Sequence, residues 1–235
     1  IRAHLQSDSR NGNDGEWLRD LILGGQDGLV NVLGLVLGVA TATNDAHLVI
    51  ISGLAALFAE GISMGAVAYT STKAAVEFYE RERAREHYEV DTLPDAEKEE
   101  VRKIYQQKGF RGKTLQMIVQ KITQNKNRWV NVMMEEELRL FKEKESPLRS
   151  GIIVGVAAHV GAVFPLLPFL LLPLASAKVV VLPFSLLVLF LAGAVKGRFT
   201  QVAWWKSGLE LAIIGIGSAL AGYVIGTLLG ASPGV

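Results

Sequence analysis

Two carboxylates stand inside stretches that are otherwise apolar. Asp27 lies within GGQDGLVNVLGLVLG, residues 24–38, and Glu60 lies within the apolar run that contains AEGISMG. A carboxylate at the centre of a membrane helix costs roughly 2.5–3.5 kcal/mol on insertion scales, which makes an ion or proton pathway its default reading. Helical spacing puts Asn31 on the face of Asp27, and Met64 on the face of Glu60. Oxygen and thioether donors together suit a borderline divalent transition metal better than magnesium or calcium. Carboxylates must shed protons to bind a cation, so such a pathway also handles protons. Each residue has a plainer reading. Asp27 can be a hydrogen-bonded staple between helices, Met64 core filling, His159 a packing residue, and Lys73 a snorkelling anchor at the membrane exit.

A second set lies in the charged middle of the chain. In RERAREHYEV, Glu82, Glu86 and Glu89 form a stripe at i, i+4 and i+7, and in DAEKEE, Glu97 and Glu100 form an i, i+3 pair. In VMMEEELRL, Met133 and Met134 precede Glu137 by four and three residues. Three helices folded together can aim these side chains at one point, as bundle proteins do when facing carboxylates hold two metals. The competing reading is a solvated face, with ion pairs to Arg81, Arg83, Arg85, Lys98 and Lys103. A Met-Met pair expected at the surface beside three glutamates weighs toward a site.

The elements that position these residues follow from the hydropathy pattern. Half of the 235 residues are hydrophobic; the apolar ones gather toward the two ends and the charges between about residues 73 and 150. This predicts an all-α membrane protein with five transmembrane helices and a cytosolic helical metal-binding insert between the second and third. The expected spans are about Leu18–Ala42, His47–Thr72, Gly151–Leu174, Val179–Val195 and Ala203–Leu229. The domains are then 1–72, 73–150 and 151–235. The second half of the third span, with Pro165, Pro168 and Pro173, is expected to bend or break. Lys and Arg in the loops place the N-terminus, the insert and the 196–206 loop in the cytosol, and the C-terminus on the far side. Within the insert, the second span runs on as one helix to Val90, Pro94 starts another, and Gly109 and Gly112 punctuate. Leu115, Ile118, Val119 and Ile122 mark an amphipathic helix, and a last helix is expected over Asn127–Lys144. The polar first twenty residues carry no signal-peptide pattern, and Ile1 predicts a natural start upstream. A net charge of +1 argues against a nucleic-acid partner, and the absence of cysteine excludes disulfides and thiolate metal sites. Small-xxx-small pairs recur: Gly24/Gly28, Gly34/Gly38, Gly61/Gly65, Gly151/Gly155, Gly193/Gly197 and Gly222/Gly226. Their plain reading is close helix packing; some can serve a dimer interface.

Together these residues make the chain resemble the vacuolar iron transporter family over nearly its whole length. The resemblance is carried by DGLVNVLGLVLGVA, by AEGISMGAVAYTSTKA, by the two E-x-x-E pairs and by MMEEELRL. The insert points to the iron-transporter branch, away from the shorter nodulin-like relatives. The resemblance implies a homodimer of five-span subunits in the vacuolar membrane. It implies exchange of ferrous iron, and often manganese, cobalt or zinc, for protons, with the metal as substrate and no prosthetic group. It assigns Asp27 and Met64, with Glu60, to the membrane pathway. Glu86, Glu89, Glu97, Glu100 and Glu137, with Met133 and Met134, match the family's cytosolic metal-binding domain. Glu16, Lys73 and Asn31 are accessory candidates. Where relatives are expected to carry E-L-G-L this chain has ELRL, so Arg139 departs from the pattern. The rivals are a membrane-tethered di-iron enzyme, a non-transporting metal sensor and a channel. A di-iron enzyme predicts E-x-x-H, whereas the chain has E-x-x-E; a non-enzymatic carrier is the expectation.

Overall fold

The computed structural model describes residues 11–142 and 146–230, with side chains from Trp17 onward. Among these residues the regular secondary structure is all helical. In chain order the helices are α1 (Asn11–Thr43), α2 (Ala46–Thr92), α3 (Pro94–Gln107), α4 (Gly112–Thr123), α5 (Lys126–Val132), a π segment (Met133–Glu137), α6 (Pro147–Leu171), α7 (Leu174–Phe199) and α8 (Trp204–Gly230). Five of them, α1, α2, α6, α7 and α8, are long and apolar enough to cross a membrane. The chain divides into two compact units. One holds the residues up to Thr70 together with those from Pro147 onward, and the other is Ser71–Ser146.

In the first unit, α1 is central. Its Val32, Leu33, Val36 and Ala40 are fully buried and share a core with Ala162 and Leu166 of α6 and Val181 of α7. Large apolar side chains such as Ile62, Val156, Leu187 and Ile213 lie exposed on the outside, as lipid-facing positions do. Between α1 and α2 the chain turns in two residues. Asn44 takes φ 52°, and the Asp45 carboxylate accepts from the His47 amide at 2.8 Å, capping α2.

All six small-residue pairs are consumed by packing within the chain. A Cβ on Gly24 or Gly28 would meet the backbone of Val154 or Ala158 at 2.2 or 2.1 Å. Gly34 and Gly38 approach Ser218 and Gly222 in the same way, Gly61 and Gly65 approach His159 and Gly155, and Gly193 approaches Ser207. Such contacts replace the hydrophobic drive that lipid cannot supply. Gly28→Leu is therefore expected to lower the thermal midpoint of the purified protein sharply, because a backbone carbonyl cannot give way. Gly217→Ala, where a Cβ meets nothing within 4 Å, should leave it unchanged.

The structure corrects two expectations in the spans. The third does not break at Pro165 or Pro168: α6 runs through both to Leu171, and the Leu172 amide still reaches the Pro168 carbonyl at 2.9 Å. Each proline removes one donor, but both are buried among neighbouring helices, whose packing offsets the lost bonds. At Pro173, the third of the prolines expected to interrupt the span, the helix does end, and α7 begins at Leu174. The fourth span is also longer than its apolar run, at 26 residues with Pro183 inside it.

In the Ser71–Ser146 unit, α2 ends at Thr92 and Pro94 opens α3. Gly109 and Gly112 have φ 96° and 55°, the left-handed turns that only glycine makes freely. The amphipathic α4 buries Leu115, Val119 and Ile122. These pack with Val90, Val101, Trp129, Val130, Met133 and Met134 into one core. The single helix expected over 127–144 is not formed; its last two residues, 143 and 144, lie outside those described. The α-helix stops at Val132 and widens, with the Leu138 amide bonded to the Met133 carbonyl at 3.1 Å. A wider turn rotates the chain less per residue, so two successive methionines share the buried side. Met133 and Met134 are thus fully buried, not exposed. Arg139 follows with φ 54°, which costs a non-glycine residue roughly 1–2 kcal/mol. This is the position at which the resemblance leads one to expect glycine. Arg139→Gly should raise the stability of this unit by up to about 1 kcal/mol, read as slower amide exchange across α5.

Candidate functional site

Each unit holds one cluster of carboxylates. In the first unit the two intramembrane carboxylates come together. Asp27 and Asn31 sit one turn apart on α1, and Glu60 and Met64 one turn apart on α2. The Asn31 amide donates to Glu60 Oε1 at 3.0 Å, and Asp27 lies within hydrogen-bonding reach of both Glu60 and Asn31. Asp27, Glu60 and Met64 are half-buried and Asn31 is exposed. Two carboxyls and an amide on facing helices form an oxygen-rich point in an apolar layer, able to take a cation or protons.

Other ionisable residues in and beside the spans have plainer roles. His159 Nδ1 lies 2.7 Å from the Gly155 carbonyl, so Nδ1 carries the proton and donates. The ring fits over Gly61, where any Cβ would collide with it, and meets Phe58 edge-on at 5.8 Å between centroids. Glu210 pairs with Lys196 at 3.0 Å. Lys73 pairs with Glu77, one turn on. The Glu16 side chain lies outside the described residues. The sequence reading missed Asp20, which is 1 % exposed. The Ser150 hydroxyl donates to it at 2.6 Å, and Arg19 donates to its other oxygen at 3.0 Å. Asp20 thus ties α1 to α6, the staple role considered for Asp27. A carboxylate inside the first expected span was the available signal.

In the Ser71–Ser146 unit, Glu86 and Glu89 on α2, Glu97 and Glu100 on α3, and Glu137 at the end of the π segment share one neighbourhood. Their charges act on one another. Glu86 is 2 % exposed and Glu97 5 %. Each leaves its Oε2 buried without a hydrogen bond, an arrangement that costs about 1–3 kcal/mol per group. Burial, then the charges of Glu137, Glu89 and Glu100, push Glu86 up to about 7 against the relief given by Arg85. Burial, then Glu100, Glu86, Glu89 and Glu137, push Glu97 up to about 7 as well. Glu137 reaches the surface, yet residual burial and the charges of Glu100 and Glu89 raise it too. Arg85 lies 2.7 Å from Glu82, but 3.7 Å from both Glu86 and Glu89. Glu82 is therefore neutralised by arginines, Arg81 included, and stands apart from the other five.

Among the described residues, no three carboxylates or imidazoles are gathered tightly enough to enclose one ion as they stand. The donor set nonetheless fits one: oxygen-rich, net negative, with two buried oxygens unmatched.

The model of the VIT family matches residues 18–227. Vacuolar iron transporter 2 of rice is 36 % identical over 213 residues, covering 89 % of this chain and 86 % of its own. Vacuolar iron transporter 1 of Arabidopsis thaliana is 35 % identical over 210 residues, covering 88 % and 84 %. The vacuolar iron transporter of Plasmodium falciparum is 30 % identical over 227 residues, covering 92 % and 83 %. Five apolar helices and a family match over most of its length place the chain plainly: it belongs to the VIT family, a family of transporters.

Proposed function

We propose that this protein moves ferrous iron from the cytosol into the vacuole in exchange for protons, as a homodimer in the vacuolar membrane. The observation that carries the reading is the meeting of Asp27 and Glu60, from two apolar helices, at one polar point with Asn31. The names of the relatives supply iron and the vacuole. The carboxylates and the half-buried Met64 supply a donor set suited to a borderline cation.

The glutamate cluster of residues 86–137 faces the cytosol in this reading and captures the metal. Glu86 and Glu97, poised near 7, release protons as the ion binds. Asp27, Glu60 and Met64 then form the passage through the membrane. An acidic lumen protonates the carboxylates, weakens their hold on the cation and favours release there. The N-terminus is cytosolic and the C-terminus lumenal.

The test uses purified protein in liposomes that are acidic inside, with ferrous iron outside under anaerobic conditions and a metal-sensitive fluorophore trapped within. Uptake should slow sharply when the pH gradient is collapsed with the outside iron unchanged and the membrane potential held at zero. Uptake that continues at the same rate under those conditions contradicts proton coupling.

A further inference from the structure

We propose that the crevice between α1, α6 and α7 binds one anionic glycerophospholipid, its phosphate at Arg149 and Lys196 and an acyl chain along the groove. The crevice has a volume of about 680 Å³. Its walls are almost wholly apolar, with Leu21 and Leu29 of α1, Ile153 and Val156 of α6, and Val188 of α7 among them.

Its charged groups are not scattered, and the Gln26 amide is the polar side chain farther along the groove. The start of α1 lies at the start of α6, since Ser150 bonds to Asp20 at 2.6 Å. It also lies at the end of α7, since the Trp17 and Phe199 rings meet with centroids 6.3 Å apart. Arg149 and Lys196 therefore border the crevice at one and the same end, with Trp17 beside them. Leu29, Phe164 and Val188 line the other end. Two cations and an indole above an apolar slot reproduce the layering of a membrane interface over hydrocarbon.

The surroundings decide the occupant. An apolar slot among spanning helices meets acyl chains, not water. The cations select among headgroups: basic pockets between transmembrane helices favour anionic lipids. Arg149 is exposed and has no hydrogen-bond or ion-pair partner among the described residues. Its planar guanidinium suits a phosphate. Lys196 shares its charge with Glu210 at 3.0 Å, so Arg149 is the main anchor. The site is separate from the Asp27–Glu60 cluster, and the inference needs only the membrane embedding of the family, not proton coupling.

The test is thermal unfolding of the purified, delipidated full chain in mild detergent, with phosphatidylglycerol or phosphatidylcholine added. Phosphatidylglycerol should raise the midpoint by several degrees and phosphatidylcholine by much less. Arg149→Gln with Lys196→Gln should abolish the difference. Should that variant fail to fold, Val156→Trp leaves both cations in place and fills the slot from an exposed position; it too should lose the response. Equal shifts from the two lipids, or a full phosphatidylglycerol response in either variant, would overturn the proposal. So would a wild type that does not respond while Val156→Trp changes its oligomeric mass, which would mean that a second copy of the chain covers the crevice.

Discussion

Replacing Glu97 by glutamine should stabilise the metal-free protein and weaken its capture of ferrous iron. Glu97 is buried, leaves one oxygen without a hydrogen bond and sits among four other glutamates. Its carboxyl is raised to about 7 from an ordinary value of 4.5. The folded state therefore binds its proton more tightly than the unfolded state does. The associated stability is fully present below about pH 4.5 and is lost as the pH rises through 7. Above pH 7 the wild type must hold a buried charge, at a cost on the order of a few kcal/mol. Glutamine carries no charge to bury, so Glu97→Gln should be the more stable form at pH 8 and should lose the fall in stability between pH 5 and 8 that Glu97 causes. Ferrous iron should reverse the order, protecting the wild type by supplying the missing counter-charge and leaving the variant almost unchanged. Amide exchange across residues 86–137 at pH 5 and 8, with and without metal, reads both effects. A variant less stable than the wild type at pH 8 without metal would show that Glu97 is a structural residue.

Asp27→Asn should reduce metal uptake to that of protein-free liposomes while leaving metal capture by the glutamate cluster intact. Asparagine keeps the size and a polar amide beside Glu60 and Asn31, so helix packing should survive. What it removes is the charge that attracts a divalent cation and the site at which a proton can replace it. The contrast with Asp20 makes the result specific. Asp20→Asn retains an acceptor for the Ser150 hydroxyl, and its transport should remain close to that of the wild type. Normal uptake by Asp27→Asn would assign Asp27 the staple role that Asp20 fills.

The spans were legible because roughly 20 consecutive apolar residues have few alternatives. The carboxylates inside them were legible because each is costly there. The spacing of the glutamates showed which could share a face, but not that Glu82 would be claimed by Arg81 and Arg85. That depends on where side chains reach across a fold. The prolines of α6 misled because a local rule about lost donors was set against packing by several neighbouring helices. The methionines misled for a related reason. Their neighbours Glu135–Glu137 made them look exposed, and only a change of helical pitch at Met133 places both in the core. Asp20 escaped notice because its partner, Ser150, lies 130 residues away.

The central claim is that metal and protons cross in opposite directions through one site. The direct measurement places the protein in liposomes with equal pH on both sides, a trapped pH indicator and an inward gradient of ferrous iron. The account predicts that the interior becomes alkaline as iron enters, in step with it, and that Asp27→Asn shows neither change. Iron entry with no alkalinisation of the interior would contradict it.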